Sequence, residues 1–250
     1  MISVAINSLN EGEKLERCLK SVYGWADEII VVNMESTDST EEVAKKYNAK
    51  IFTHPKVDYV EPVREFQNSI VKCDWVLILD PDEVVTDDLK NKLLEISRNN
   101  LADAVNIPRV FYIGKTKIKH TNFWPDRQIR FFKKGKLEFS KMIHSYPKVH
   151  GEVLDLPAKE NLAIQHFSYS SWDEYWQRLQ RYAQIEAQNL HDEGVKFSYL
   201  DCIKKPMYDF LRRYIRHLGI LDGLTGLRLS LLQADYYLLV EYKLKQLSKK

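Results

Sequence analysis

This sequence predicts an α/β fold, a doubly wound mixed sheet followed by a helical C-terminal extension. Two observations carry that expectation. Over the first hundred residues, apolar runs of strand length alternate with stretches whose apolar residues recur at helical spacing. The run Trp75-Val76-Leu77-Ile78-Leu79 then ends on Asp80-Pro81-Asp82-Glu83-Val84, which holds three carboxylates within four residues. Five apolar residues in a row read as a buried strand, and the carboxyl ends of such strands are where open α/β sheets bind ligands.

The elements follow in order. Ile2–Ile6 reads as the first strand. Leu15, Cys18, Leu19 and Val22 recur at i, i+3, i+4 and i+7, the stripe of an amphipathic helix. Glu28–Val32 is a second strand, and Asp38 with Glu41 is spaced as a capping box for a short helix through Val43, Ala44 and Tyr47. Lys50–Thr53 is a third, shorter strand, Pro62–Lys72 a helix, and Trp75–Leu79 the central strand. Thr86 caps a helix carrying Leu89, Leu93, Leu94 and Ile96, with Asp87 and Asp88 in the first turn, where the helix dipole favours negative charge. After residue 100 the pattern changes. Ala104–Ile113, Arg127–Lys133 and Leu162–Phe167 read as strands, the first two separated by the loop Lys115–Asp126. Ser171 and Glu174 form a capping box for a long helix with Trp172, Tyr175, Trp176, Leu179, Ala183, Ala187 and Leu190 on one face, ended by Gly194. The aromatic part of that stripe reads most simply as helix core. Pro206–Leu218 and Leu224–Leu247, joined by Gly219–Gly223, complete a helical segment.

With 250 residues the chain is one large domain or one domain with an appendage, and 44% hydrophobic with 29% charged residues is an ordinary globular composition. Cys18, Cys73 and Cys202 are odd in number, far apart and never spaced as C-x-x-C, so neither a disulfide framework nor a zinc site is supported. A reducing, cytoplasmic setting is the expectation. The N-terminus lacks the basic region and long apolar stretch of a signal peptide, and no eighteen apolar residues run together. The net charge of +2 hides an asymmetry: residues 196–250 hold eleven Lys and Arg against five Asp and Glu, so this end carries +6 and the rest −4. A basic end with aromatics can meet anionic lipid or simply be a solvated face, and the total is too small to make nucleic acid a main partner.

Neither G-x-G-x-x-G nor a P-loop occurs, and Gly12 and Gly24 are the glycines of the first hundred residues. A glycine-rich phosphate cradle is thereby ruled out. Hard oxygen ligands at the end of the central strand instead suit Mg²⁺ or Mn²⁺ carrying a substrate diphosphate, the competing reading being a turn with solvated acids.

Two families use such an acid cluster. Asp80-Pro81-Asp82-Glu83-Val84 matches the D-x-D-x-[T/V] nucleophile motif of haloacid dehalogenase-like phosphatases, but that motif normally sits on the first strand and needs a later lysine and acidic pair. The other family fits in three places. Val4-Ala5-Ile6-Asn7-Ser8-Leu9-Asn10-Glu11 resembles the first-strand signature of inverting glycosyltransferase family 2. Ile30-Val31-Val32-Asn33-Met34-Glu35-Ser36-Thr37-Asp38-Ser39-Thr40 resembles its second-strand motif, V-V-D-x-x-S-T-D-x-T. Asp74-Trp75-Val76-Leu77-Ile78-Leu79-Asp80-Pro81-Asp82-Glu83 resembles its D-W-x-L-x-L-D-x-D-E. Trp124-Pro125-Asp126-Arg127-Gln128-Ile129-Arg130-Phe131-Phe132, Ile164-Gln165-His166-Phe167-Ser168-Tyr169 and Gly219-Ile220-Leu221-Asp222-Gly223 are similar to elements of its subgroup of lipopolysaccharide core β-1,4-glucosyltransferases. Two positions depart: the uracil-contacting Asp of the second-strand motif is Asn33, and a usual His-Glu reads His144-Ser145.

The resemblance implies a GT-A-like fold with a catalytic domain at 1–195, divided into a nucleotide-binding half at 1–100 and an acceptor half at 101–195, and a helical segment at 196–250. It implies transfer of a sugar from a nucleotide-diphosphate donor, UDP-sugar favoured, to a glycan or glycolipid acceptor with inversion, in cell-envelope synthesis. Asn7 and Glu11 would border base and ribose, and Asn33 and Glu35 would lie under the base. Asp80 would contact ribose or a metal-bound water, Asp82 would hold Mn²⁺ or Mg²⁺, and His166 would be a further ligand. Arg64, Arg127 and Arg130 are fork-shaped donors for the diphosphate or an acceptor phosphate. Trp124, Arg127, Arg130 and His144 would serve the acceptor, with Asp126 as the base that deprotonates its hydroxyl and Glu83 or Glu152 as substitutes. Plain structural readings stand beside these: Glu11 as a helix first-turn acid, His166 as a structural strand-end histidine, Arg130 as a solvent-facing strand residue. The basic tail implies peripheral contact on the inner face of a membrane, with its apolar residues Phe210, Leu211, Tyr214, Ile215 and Leu218 packed on the domain. A non-catalytic, membrane-associated binding protein on the same fold is the reading from another class.

Overall fold

The structure is a computed structural model that describes residues 1–57, 61–139 and 147–248, with residues 61 and 62 described in backbone only. The strands are β1 (Ile2–Ser8), β2 (Glu28–Asn33), β3 (Lys50–Thr53), β4 (Trp75–Leu79), β5 (Glu83–Val84), β6 (Ala104–Ile113), β7 (Thr116–Ile118), β8 (Asp126–Lys133), β9 (Leu137–Glu138), β10 (Lys148–Val149), β11 (Val153–Asp155) and β12 (Ile164–Tyr169). The helices are α1 (Gly12–Val22), α2 (Thr40–Lys46), α3 (Glu61–Ile70), α4 (Asp87–Asn99), α5 (Trp172–Asp192), α6 (Asp201–Leu211) and α7 (Gly223–Leu247). The main sheet runs β3-β2-β1-β4-β8-β6-β12-β5, and β9 and β10 form a separate antiparallel pair.

The chain divides into two compact units. The first comprises residues 1–109 and 127–166, the second residues 110–126 and 167–250. In the first unit β3, β2, β1 and β4 are parallel, while β8 joins β4 antiparallel, with Val76 opposite Phe132. Strands β1, β2 and β4 are buried on both faces, which is why they read as unbroken apolar runs. Alternation splits them between two cores. Val4, Ile6, Val31, Leu77 and Leu79 pack on Leu15, Leu19, Leu89 and Leu93 of α1 and α4. Ala5, Ile30, Val32, Val76 and Ile78 pack on Val63 and Val71 at the ends of α3. The sheet is thus covered on both sides, the doubly wound arrangement the alternation predicts.

Thr86 caps α4 by accepting the Leu89 amide at 3.2 Å, and Ser171 caps α5 by accepting the Glu174 amide at 3.1 Å. The Asp38–Glu41 capping box does not form. Instead, α2 starts at Thr40, and the Asp38 carboxylate accepts the Thr40 amide at 3.0 Å and the Gly12 amide at 2.9 Å, tying the start of α2 to that of α1.

In the second unit α5 and α7 pack through Ala183, Ala187, Val240 and Leu244, and Tyr175, Leu179 and Leu229 close on Ile113 and Ile118. The stripe along α5 is therefore core, as its periodicity indicates. The helix expected over 206–218 starts earlier, as α6, and passes into a π-helical turn at 212–216. Among the described residues no helix is long and apolar enough to cross a membrane.

Candidate functional site

The acid motif turns sharply after β4. The Glu83 amide donates to the Asp80 carbonyl at 3.0 Å, and the Asp80 amide donates back to Glu83 Oε2 at 2.9 Å. Glu83 and Val84 form the short β5, which pairs antiparallel with β12 so that His166 stands opposite Glu83. That pairing places His166 Nε2 3.4 Å from Asp82 Oδ1. A histidine eighty-odd residues downstream thus meets the motif through the β5–β12 pairing.

The three carboxylates have separate environments. Glu83 is fully buried, and its Oε1 accepts from Arg109 Nη1 at 2.9 Å and Arg130 Nη2 at 3.0 Å. Arg130, only 3% exposed, also reaches Asp80 Oδ2 at 2.5 Å, and Arg64 Nη2 of α3 lies 3.4 Å from Asp80 Oδ1. Burial would raise the Asp80 carboxyl, but Arg130, Arg64 and Arg109 outweigh it and hold the group well below the usual carboxylate range. Burial likewise opposes ionisation of Asp82, and the hydrogen bond and charge of His166 win and lower it. Glu11 shifts the other way: burial raises it, Lys14 at 3.4 Å resists, and Asp82 and Asp80 push it further up. Asp80 is therefore an arginine-bound anion, whereas Asp82 faces the histidine.

The sign for stability follows. With its folded value depressed, Asp80 stabilises the fold above the ordinary aspartate range, and that contribution is lost as pH falls through the folded value. The stability advantage of the wild type over Asp80→Asn is expected at neutral pH and should shrink below about pH 3.9 in pH-dependent urea melts. A difference independent of pH would contradict it.

The positions expected at the nucleotide fall at the carboxyl ends of β1 and β2 and on α3. Asn7, one residue past the last β1–β4 pair Ile6–Leu79, is buried, and its Oδ1 has no hydrogen-bond partner. Asn33 Oδ1 accepts the Ser36 amide at 2.9 Å, so its carbonyl oxygen serves the loop. Glu35 is exposed with φ of +59°, and Glu11 sits at the N-cap of α1 without capping it. On α3, Gln67 falls between Val63 and Val71 on the face toward the sheet, fully buried, with neither side-chain polar atom partnered. Buried polar atoms left unpaired are costly, and those of Asn7 and Gln67 are suited to a polar ligand. The sequence reading missed Gln67 and Arg109. A glutamine or arginine alternating among apolar residues is a detectable signal, but its partner is not.

Arg127 donates to the Leu156 carbonyl at 2.5 Å, which ties it to the backbone. Arg130 is not a solvent-facing strand residue, because its guanidinium joins Asp80 to Glu83. Glu83, a substitute base, is sealed by two arginines and cannot reach an acceptor hydroxyl. Asp126 opens β8, and both it and Trp124 belong to the second unit. Glu152 is exposed. His144 lies outside the described residues.

Among the described residues no three or more His, Cys, Asp and Glu converge as a complete metal cage. Asp82 and His166 bring together a hard carboxylate oxygen and an imidazole nitrogen, each side chain 15% exposed. That pair fits a divalent ion that completes its shell with water and diphosphate oxygens.

Residues 3–149 match the family described as Glycosyl transferase family 2. An uncharacterised glycosyltransferase of Rickettsia typhi is 29% identical over 260 residues, covering 100% of this chain and 88% of its own length. The SPbeta prophage-derived glycosyltransferase SunS of Bacillus subtilis is 24% identical over 175 residues, covering 68% of this chain and 40% of its own. Among solved structures, the mannosyltransferase PcManGT of Pyrobaculum calidifontis, in complex with GDP-Man and Mn²⁺, superposes with a TM-score of 0.53 at 12% identity, covering 100% of this chain and 88% of that one. S. aureus TarS 1-349 gives 0.52 at 15% identity, covering 98% and 91%. These likenesses give the GT-A fold.

Proposed function

This chain belongs to glycosyl transferase family 2, and we propose that it is a metal-dependent inverting hexosyltransferase that uses a nucleotide-diphosphate sugar, UDP-sugar favoured. The observation that carries the metal and donor parts is the convergence of Asp82 and His166 at 3.4 Å, beside an Asp80 already neutralised by arginines, at the end of the central strand. Bound there, Mn²⁺ or Mg²⁺ would neutralise charge developing on the departing diphosphate. Asp82 and His166 would hold it, and Arg64 would add a guanidinium on the α3 side. Asn7 and Gln67 would donate and accept toward the nucleoside, with Glu11, Asn33 and Glu35 at its border. That PcManGT was solved with GDP-Man and Mn²⁺ supports a metal-bound donor.

The acceptor side is also proposal: Asp126 as base, Trp124 stacking on a sugar, and Arg127, Arg130 and His144 nearby. Arg130, paired with Asp80 and Glu83, would also act as a positioning residue for both. The division into 1–100, 101–195 and 196–250, a glycan or glycolipid acceptor, lipopolysaccharide or other cell-envelope synthesis, the β-1,4-glucosyltransferase subgroup, and a place on the inner face of a membrane belong to the same reading. Family membership sets the phosphatase alternative aside.

A screen of UDP-sugars with purified protein and candidate glycans tests this. The expected product carries the inverted anomeric configuration by NMR. Retention would reject inversion, and neither transfer nor donor hydrolysis across the screen would favour the non-catalytic binding protein.

A further inference from the structure

Helix α6 is inside out. An amphipathic helix of a globular unit buries its apolar stripe and turns its charges to water. Here Ile203, Met207 and Leu211, spaced i, i+4, i+8, are 65%, 56% and 45% exposed. The opposite side carries Lys205 and Asp209, and it is this side that is anchored. Asp209, 2% exposed, accepts from Arg212 Nη2 at 2.8 Å and Arg213 Nε at 2.7 Å. Lys205 Nζ reaches Glu241 Oε1 of α7 at 2.6 Å, and Glu241 is 1% exposed. The Lys205–Glu241 pair therefore ties α6 to α7, and Arg213, held by Asp209 one turn away, donates to the Thr121 carbonyl at 3.0 Å, while Ile203, Met207 and Leu211 stay outside. The expectation that the apolar residues of this segment pack on the domain is corrected for Leu211, Ile215 and Leu218, which are exposed; Phe210 and Tyr214 are half-buried and stack at 5.3 Å.

Beyond α6, Ile215, Leu218 and Leu224 are exposed as well. Exposed apolar residues repeating along one side of a helix mark an interaction face. Two exposed cations flank it: Lys204 shares the side of Met207 and Leu211 by i+3 and i+7 spacing, and Arg216 follows Ile215. Tyr208, largely exposed, places an amphipathic ring beside Met207 and Leu211.

From this face we propose that the second unit seats on an anionic lipid surface, with the α6 stripe in the headgroup boundary and its lysine and arginine rim on the lipid phosphates. A second copy is the poorer occupant, because a self-complementary contact would set one basic rim against another. A lipid surface satisfies both features at once, since it takes up hydrocarbon without shape complementarity and supplies the opposite charge. The inference rests on the reading of the chain as a peripheral enzyme and names the partner surface. Its test is independent of donor binding.

The full chain is sedimented with vesicles of equal parts phosphatidylglycerol and phosphatidylcholine, and with phosphatidylcholine alone. The expected result is binding to the anionic vesicles at least about tenfold tighter, released as salt shortens the screening length below about 10 Å. Lys204→Glu/Arg216→Glu and Met207→Glu/Leu211→Glu, all at exposed positions, should each weaken it about tenfold or more, while calorimetric UDP binding stays unchanged. No binding to anionic vesicles at low salt, equal binding to both kinds, or a dimer in light scattering that Met207→Glu/Leu211→Glu abolishes would each overturn the proposal. Loss of UDP binding in the wild type with vesicle binding intact would strike the donor reading alone.

Discussion

Replacing Asp82 by alanine is expected to remove the metal's effect on donor affinity and to lower kcat/KM on the order of 10²- to 10³-fold, the range seen when one preorganised electrostatic group is lost. The reason is positional. Of the three motif carboxylates, Glu83 is consumed by Arg109 and Arg130, and Asp80 by Arg130 and Arg64, whereas Asp82 faces His166. Asp80→Ala should therefore weaken the metal effect less than Asp82→Ala does. Steady-state kinetics across a Mn²⁺ series checks this, and equal metal dependence in wild type and Asp82→Ala would refute the assignment.

The second large effect concerns stability. Arg130→Met should destabilise the fold by about 3–5 kcal/mol, because it leaves the buried carboxylate of Glu83 short of a partner and releases Asp80. Arg109 still touches Glu83, so part of the charge remains compensated. Adding Glu83→Gln to Arg130→Met should recover part of the loss, since an amide keeps an acceptor without a charge, and the non-additivity measures the coupling. Urea unfolding reads both. A loss below about 1 kcal/mol would place Arg130 among exposed pairs and contradict the buried network.

Much of the first unit was legible because its strands and helices have unambiguous periods. Trp75–Leu79 is a buried strand in sequence and in structure, and the α1 stripe Leu15, Cys18, Leu19, Val22 is buried to the last residue. The acid cluster was legible for the same reason, since the end of a buried strand is a defined place. What sequence could not supply is pairing across the sheet. The approach of His166 to Asp82 depends on β5, a strand of two residues that carries no periodic signal. The Arg109–Glu83–Arg130 network joins three strands and shows only as charges inside apolar runs. Periodicity also gives a stripe without saying which side faces the interior. On α5 the apolar side is buried, whereas on α6 the side of Asp209 and Lys205 faces inward, with Lys205 reaching Glu241 of α7. The Asp38 motif had the right spacing for a capping box but found a stronger use, accepting amides from two helices.

Titration of the wild-type protein with UDP-sugar by calorimetry, once with Mn²⁺ and once with EDTA, tests the central claim most directly. A donor held through a metal on Asp82 and His166 predicts binding that is strong with Mn²⁺ and weakened by at least about tenfold in EDTA. Equal affinity in the two titrations would remove the metal from the site and contradict the account.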